Sequence, residues 1–346
     1  MINSNKITLV EKLQALKIPG YIEKMDSNEF YNNYYVRFNP DITINKIKAR
    51  AADISLFFDG SAVDIEPAAG GLVLIKTSKG TRTNSNYNDF IPELVKRADN
   101  GGIPLVIGTT EDGKKLFFDL VKCPHLLVAG ATGSGKSVFM HNLILSTFYS
   151  SDVHLMLIDV KRVEFSIYEN IPHLVTPVIY EARTAAKKLN DLCYEMDRRY
   201  KTLKDSGSRN IDDYRNAGGN MGYIAVFIDE LADLILSDKN IETYITRLAQ
   251  LGRAAGIHLI TATQRPDSSI LSGLIRSNIP SRVCFAVQKA TDSRIILDMP
   301  GGENLNGRGD GLFLAVGSRK PTRFQAPYID DTELQKMVSK ARHVND

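Results

Sequence analysis

The sequence predicts an α/β protein, a mainly parallel sheet flanked by helices and preceded by a small α+β domain. Three observations carry this. From residue 126 onward, apolar runs of strand length alternate with runs of helix length, the rhythm that a parallel sheet with crossover helices imposes. A glycine-rich octet joins the first of these strands to its helix, and a later apolar strand ends in two acids. At 346 residues the chain is long enough for two cores.

Taken in order, residues 1–101 mix short helical and strand patterns and are read as the small domain. Segment 42–58 reads as one helix, with Ile44, Ile47, Ala51, Ile54 and Phe58 on a single stripe. Segments 63–65 and 72–75 read as strands around the turn-prone Pro67-Ala68-Ala69-Gly70-Gly71. Asn100-Gly101-Gly102 is the expected domain boundary, so that 102–346 forms the larger domain. There, 105–107 and 115–118 flank Thr109-Thr110-Glu111-Asp112-Gly113, a hairpin signature. Next come a strand at 126–129, a helix at 138–149 and a buried strand at 153–158 ending at Asp159. Residues 183–204 form a long helix whose Ala186, Leu189, Cys193, Met196, Tyr200 and Leu203 are spaced for core packing. Segment 205–222, rich in Gly, Ser and Asn, reads as a surface loop. Strands are expected at 223–228, 257–263 and 283–287.

Composition narrows the class. Apolar and charged fractions of 43% and 24% are those of an ordinary globular protein, and a net charge of +3 is too small to indicate nucleic acid by itself. Cys123, Cys193 and Cys284 match no metal or redox spacing and read as reduced thiols. No apolar stretch approaches membrane-spanning length, and Met1-Ile2-Asn3-Ser4-Asn5 is too polar for a signal peptide. A cytoplasmic protein without membrane contact is expected.

The chemistry begins at Gly130-Ala131-Thr132-Gly133-Ser134-Gly135-Lys136-Ser137, a complete P-loop in its strand–loop–helix context. Gly130, Gly133 and Gly135 let the backbone curl so that its N–H groups point at phosphate oxygens, beside the positive end of a helix. Lys136 is expected to neutralise the β- and γ-phosphates of ATP, and the Ser137 hydroxyl to hold Mg²⁺. The strand Tyr223-Ile224-Ala225-Val226-Phe227-Ile228 ends in Asp229-Glu230, a Walker B arrangement. Asp229 is expected on the Mg²⁺, and Glu230 beside the attacking water, so hydrolysis is favoured over mere binding. Gln264 ends the apolar strand Leu259-Ile260-Thr261-Ala262-Thr263 and reads as a γ-phosphate sensor or, alternatively, a turn residue.

These motifs belong to a longer pattern. It includes Pro124-His125-Leu126-Leu127-Val128-Ala129-Gly130, then Ile158-Asp159-Val160-Lys161 with Glu164, and Ile171-Pro172-His173-Leu174. Glu195-Met196-Asp197-Arg198-Arg199-Tyr200, Arg209-Asn210-Ile211 and Arg253-Ala254-Ala255-Gly256-Ile257-His258-Leu259 follow. Ala262-Thr263-Gln264-Arg265-Pro266, Asn278-Ile279-Pro280-Ser281-Arg282 and Asp292-Ser293-Arg294-Ile295-Ile296-Leu297-Asp298 complete it. In this order the chain resembles the FtsK/SpoIIIE family of double-stranded DNA translocases, a branch of the RecA-like motor ATPases.

The resemblance implies a RecA-like core, a small N-terminal domain stacked on it, and a homo-oligomeric, hexameric ring that moves along double-stranded DNA. It implies that Arg253 is an arginine finger reaching the neighbouring subunit's nucleotide, where the residue alone reads as a helix C-terminal arginine favoured by the macrodipole. It also implies that Arg265, Arg276 and Lys289, on two loops after the strands, touch DNA phosphates, where scattered basics alone would read as solvated charges. Arg209 and Arg215 are the next candidates for DNA. The family's Asp-Pro-Lys stands here as Asp159-Val160-Lys161. Members usually add an N-terminal membrane anchor and a C-terminal winged-helix domain, and this chain is expected to have neither, which suits a phage, plasmid or other mobile element. A motor for protein secretion or conjugative DNA transfer, or a slow nucleotide-gated clamp, is the alternative.

Overall fold

The computed structural model describes residues 2–28, 31–58, 63–78 and 85–342. The chain divides into two compact units, Met1–Asn84 with Glu111–Lys114, and Ser85–Thr110 with Lys115–Asp346. In the first, four antiparallel strands, β1 (Gly20–Ser27), β2 (Tyr31–Phe38), β3 (Val63–Ala68) and β4 (Leu72–Ser78), lie in the order β1-β2-β4-β3. Their core gathers Leu9, Leu13, Tyr34, Val36, Ile65 and Ile75. The helix expected over 42–58 is two short ones, Ile44–Lys48 and Ala51–Leu56, broken where Arg50 leaves helical geometry at φ −100°, ψ 8°. The apolar stripe survives the break: Ile47 and Ile54 are both fully buried.

The division falls before Ser85 and not at Asn100-Gly101-Gly102. Tyr87, Phe90 and Leu94, on the turn and helix Ile91–Asp99, are buried in the core of the second unit, which ties that helix to it.

The second unit is built on nine strands. These are β5 (Pro104–Thr110), β6 (Lys115–Asp119), β7 (His125–Ala129), β8 (Val153–Ile158), β9 (Tyr223–Ile228), β10 (Ile257–Thr263), β11 (Ser281–Phe285), β12 (Asp310–Leu314) and β13 (Thr322–Gln325). Their order is β6-β5-β13-β12-β11-β7-β10-β9-β8. The five from β11 to β8 are parallel, and the rest join antiparallel. The central strands are buried on both faces, and alternate residues serve opposite cores. Tyr223, Ala225 and Phe227 face the core with the helix Lys136–Thr147, whereas Ile224, Val226 and Ile228 face the core with the helices Ala182–Asp205 and Asn240–Leu251.

Several elements of the second unit differ from the expectation. Segment 205–222 contains the helix Ile211–Asn216, capped by the Asn210 side chain; one buried residue, Ile211, is too few to show a period. The last parallel strand lies at Ser281–Phe285, two residues earlier than read. The antiparallel hairpin of β12 and β13 and the helix Asp331–Arg342 carry no distinctive pattern and were not expected.

Candidate nucleotide site

Parallel pairing brings the critical residues to one edge. Thr263 at the end of β10 pairs with Ala129 at the end of β7, and Thr261 with Ile228, so the P-loop, Asp229-Glu230 and Gln264 emerge side by side. The P-loop root is stitched to its neighbours: Gly130 N–H donates to the Thr263 carbonyl at 3.3 Å, and Ala131 N–H to the Ala286 carbonyl at 2.9 Å. A side chain at Gly130 would stand 2.6 Å from Phe285 Cβ, and Gly135 caps the helix at φ +106°, which is why glycine occupies both.

Inside this frame, Lys136 is 3% exposed and its ammonium donates to Asp229 Oδ1 at 2.7 Å. Burial raises the Asp229 carboxyl above its ordinary value, and Lys136 opposes that rise. Ser137 Oγ donates to Glu164 Oε1 at 2.6 Å. Hydrogen bonding from His141, against the effect of burial, holds the Glu164 carboxyl below the usual range. Glu230 is 1% exposed. Its Oε1 accepts from Thr263 Oγ1 at 2.6 Å and Gln264 N–H at 3.2 Å, and its Oε2 accepts from Lys161 Nζ at 3.1 Å. Thr132 Oγ1 donates to Gln264 Oε1 at 3.1 Å, closing the circuit back to the P-loop.

Comparison with known proteins gives the family. The FtsK/SpoIIIE family model matches residues 94–268, just over half of the chain. The chain belongs to this family. It is 37% identical over 360 residues to a DNA translocase FtsK of Sporosarcina ureae, with 98% of this chain and 46% of that protein aligned. It is 36% identical over 354 residues to the DNA translocase SpoIIIE of Bacillus subtilis, covering 97% of this chain and 45% of the relative. The chain thus spans less than half the length of these curated relatives. Among solved structures, the pCW3 conjugation coupling protein TcpA matches with a TM-score of 0.70 at 26% identity, over 98% of this chain and 99% of that one. The fold is that of the RecA-like P-loop motor core.

The remaining residues of the family pattern fall at two ends of the sheet. Arg253 follows the helix Asn240–Leu251 and precedes β10, so it stands at the strand starts, away from its own P-loop. Arg265 follows β10 at the P-loop end and is 68% exposed, 3.9 Å from Asp233. Lys289 also lies beyond a strand end, exposed before the helix Ala290–Leu297. Arg276 is separate from both. It pairs with Asp298 at 3.0 Å, and Asp298 also binds the buried Arg282 of β11.

Residues whose role in the site was not read from sequence are Lys161, Glu164, Thr263 and the loop Asn306-Gly307-Arg308-Gly309. The last lies on the P-loop, where Gly309 N–H donates to the Ser134 carbonyl at 2.7 Å. Its signal, a Gly-Arg-Gly-Asp run far along the chain, gains meaning only when the hairpin of β12 and β13 returns it here. Among the described residues no helix is long and apolar enough to cross a membrane.

Proposed function

We propose that the chain is an ATP hydrolase that drives movement along double-stranded DNA as a closed ring of six copies. The observation that carries this reading is the Glu230 carboxylate, bonded at once to Thr263 and to the Gln264 amide from which the Arg265 loop departs. Any change at the γ-phosphate that moves Glu230 or Gln264 therefore pulls on the root of a basic loop. The relatives named as DNA translocases supply DNA as the track.

The residues fit a magnesium–nucleotide complex. Ser134 Oγ is buried within the P-loop without a hydrogen-bond partner among the described residues, and a side chain on Gly130 would crowd it at 2.7 Å. Ser137, Asp229 and Glu164 form an all-oxygen donor set, which suits Mg²⁺. When bound, that ion neutralises charge on the β- and γ-phosphate oxygens. Lys136 turns from Asp229 to the phosphates, Asp229 and Ser137 would hold the ion, and Glu230 takes a proton from water aligned by Gln264. Arg253 completes the charge in trans. The seven residues of β10 span roughly 20 Å, several times what an arginine side chain covers, so Arg253 serves only a neighbouring copy's nucleotide. Arg265, Lys289 and Arg276 are assigned to the DNA backbone, where contact is independent of sequence, and Arg276 must release Asp298 to make its contact.

A second reading, a motor for conjugative DNA transfer, is favoured by the near-complete overlap with the coupling protein TcpA. The test common to both is ATP turnover with and without duplex DNA, together with displacement of a third strand from a triplex. Strong duplex stimulation with displacement supports translocation on double strands. Stimulation by single strands alone favours the second reading, and stimulation by neither refutes both.

A further inference from the structure

At the strand-start end of β9 and β10, opposite the P-loop, lies a cleft of about 370 Å³. Arg209 and Arg253 both line it, with Asp212, Tyr200, Tyr223 and His258. Most of the other polar side chains there are already spent: the Tyr223 hydroxyl donates to Asp212, and the Tyr200 hydroxyl to the Leu251 carbonyl at 2.6 Å. Burial pushes His258 down to about 4, so it carries no charge near neutrality. The two arginines differ. Both are exposed, and among the described residues neither guanidinium has an ion pair or hydrogen bond, the one polar contact of Arg209 with Asp213 being made by its backbone N–H. Many of the other arginines are engaged, as Arg199 is with Glu195 and Arg323 with Asp310.

Their backbones are locked together. Ile211 N–H donates to the Ala254 carbonyl at 2.8 Å, one residue beyond Arg253 and two beyond Arg209. The Arg253 turn is closed by Ile257 N–H on the Gly252 carbonyl at 2.9 Å. A side chain at Gly252 would meet the Ile257 carbonyl oxygen at 2.6 Å, and Gly256 holds φ +68°. Two arginines that line one cleft from backbones joined by a hydrogen bond, their guanidiniums without a partner among the described residues, make an anion site, and a guanidinium fork suits phosphate oxygens.

We propose that this cleft receives the triphosphate of the neighbouring copy, with Arg209 acting beside Arg253 as a second trans-acting arginine. The inference rests on the ring reading above. A head-to-tail contact sets the P-loop edge of one sheet against the strand-start edge of the next, and such contacts close into rings. During hydrolysis the water oxygen bonds to the γ-phosphorus, the bond from that phosphorus to the β–γ bridging oxygen breaks, and Glu230 of the nucleotide-bearing copy takes the proton. Both guanidiniums of the neighbour stabilise the charge gathered on the leaving oxygen and the phosphoryl group.

The test uses the full chain with duplex DNA and three variants, Arg209→Ala, Arg253→Ala and Lys136→Ala. Arg209→Ala is expected to lower turnover roughly a hundredfold, with binding of a fluorescent ATP analogue and of duplex unchanged. Mixed with Lys136→Ala it should regain partial activity, because an intact P-loop then faces an intact Arg209. Arg209→Lys should recover only part of the loss, since an ammonium keeps the charge and loses the fork. Recovery by the Arg253→Ala mixture without recovery by the Arg209→Ala mixture overturns the role of Arg209 alone. No recovery in either mixture overturns the trans reading itself. Weakened duplex binding by Arg209→Ala with unchanged basal turnover assigns Arg209 to DNA and also overturns the proposal.

Discussion

Removing Lys136 tests the site through stability before any nucleotide is added. The ammonium and the Asp229 carboxylate are 2.7 Å apart and only 3% and 4% exposed, so Lys136→Ala leaves a buried carboxylate without its counter-charge. Breaking one side of a buried pair costs about 3–5 kcal/mol. For a unit of this size that corresponds to a fall in Tm of roughly 10 °C. The sign of the pH dependence follows from the carboxyl. Asp229 is raised above its unfolded value by burial, so its contribution favours the fold below the unfolded value and is lost as pH rises through the folded one. Loss of Lys136 removes the group that opposes the rise, so the variant should be weakest near neutrality and recover on acidification toward the Asp229 value. A double variant, Lys136→Ala with Asp229→Asn, should regain most of the stability and none of the ATP turnover. The assay is thermal melting of each variant without nucleotide at neutral and mildly acidic pH. A single variant that melts like the parent at neutral pH, or a deficit that does not shrink on acidification, would refute the buried-pair argument.

Glu230→Gln keeps an acceptor for Thr263 and Gln264 and loses the base, so ATP affinity should persist while hydrolysis falls about 10²–10⁴-fold; loss of nucleotide binding in titrations would make its role structural. Gly135→Ala forces a side chain into φ +106° and against the Gly309 amide, adding about 1–3 kcal/mol of strain and abolishing nucleotide binding; calorimetric titration with ATP checks this, and normal affinity would discount the tight loop. Lys289→Ala should weaken duplex binding equally for unrelated sequences and flatten the slope of log affinity on log salt by about one unit per lost contact. An unchanged slope removes Lys289 from the DNA-facing surface.

Much of the site was legible because its chemistry is local. Eight consecutive residues make the P-loop, and an apolar strand ending in Asp229-Glu230 announces itself, since both faces of a parallel strand are buried and its acids must lie at the end. The long helix over Ala182–Asp205 was legible for the same reason, a stripe of apolar residues at a fixed period. Residues 42–58 show the limit: the stripe was right, but two short helices sharing one buried side carry the same pattern as one. What only the tertiary structure decided depends on which strands lie side by side. Pairing of β10 with β7 and β9 brings Glu230, Thr263 and Gln264 into one hydrogen-bonded group from segments more than thirty residues apart. The same sheet separates Arg253 from its own P-loop, and the Ile211–Ala254 backbone bond joins Arg209 to it. A sequence specifies such side chains one at a time, whereas distance between them is a property of the sheet that the whole chain has to build.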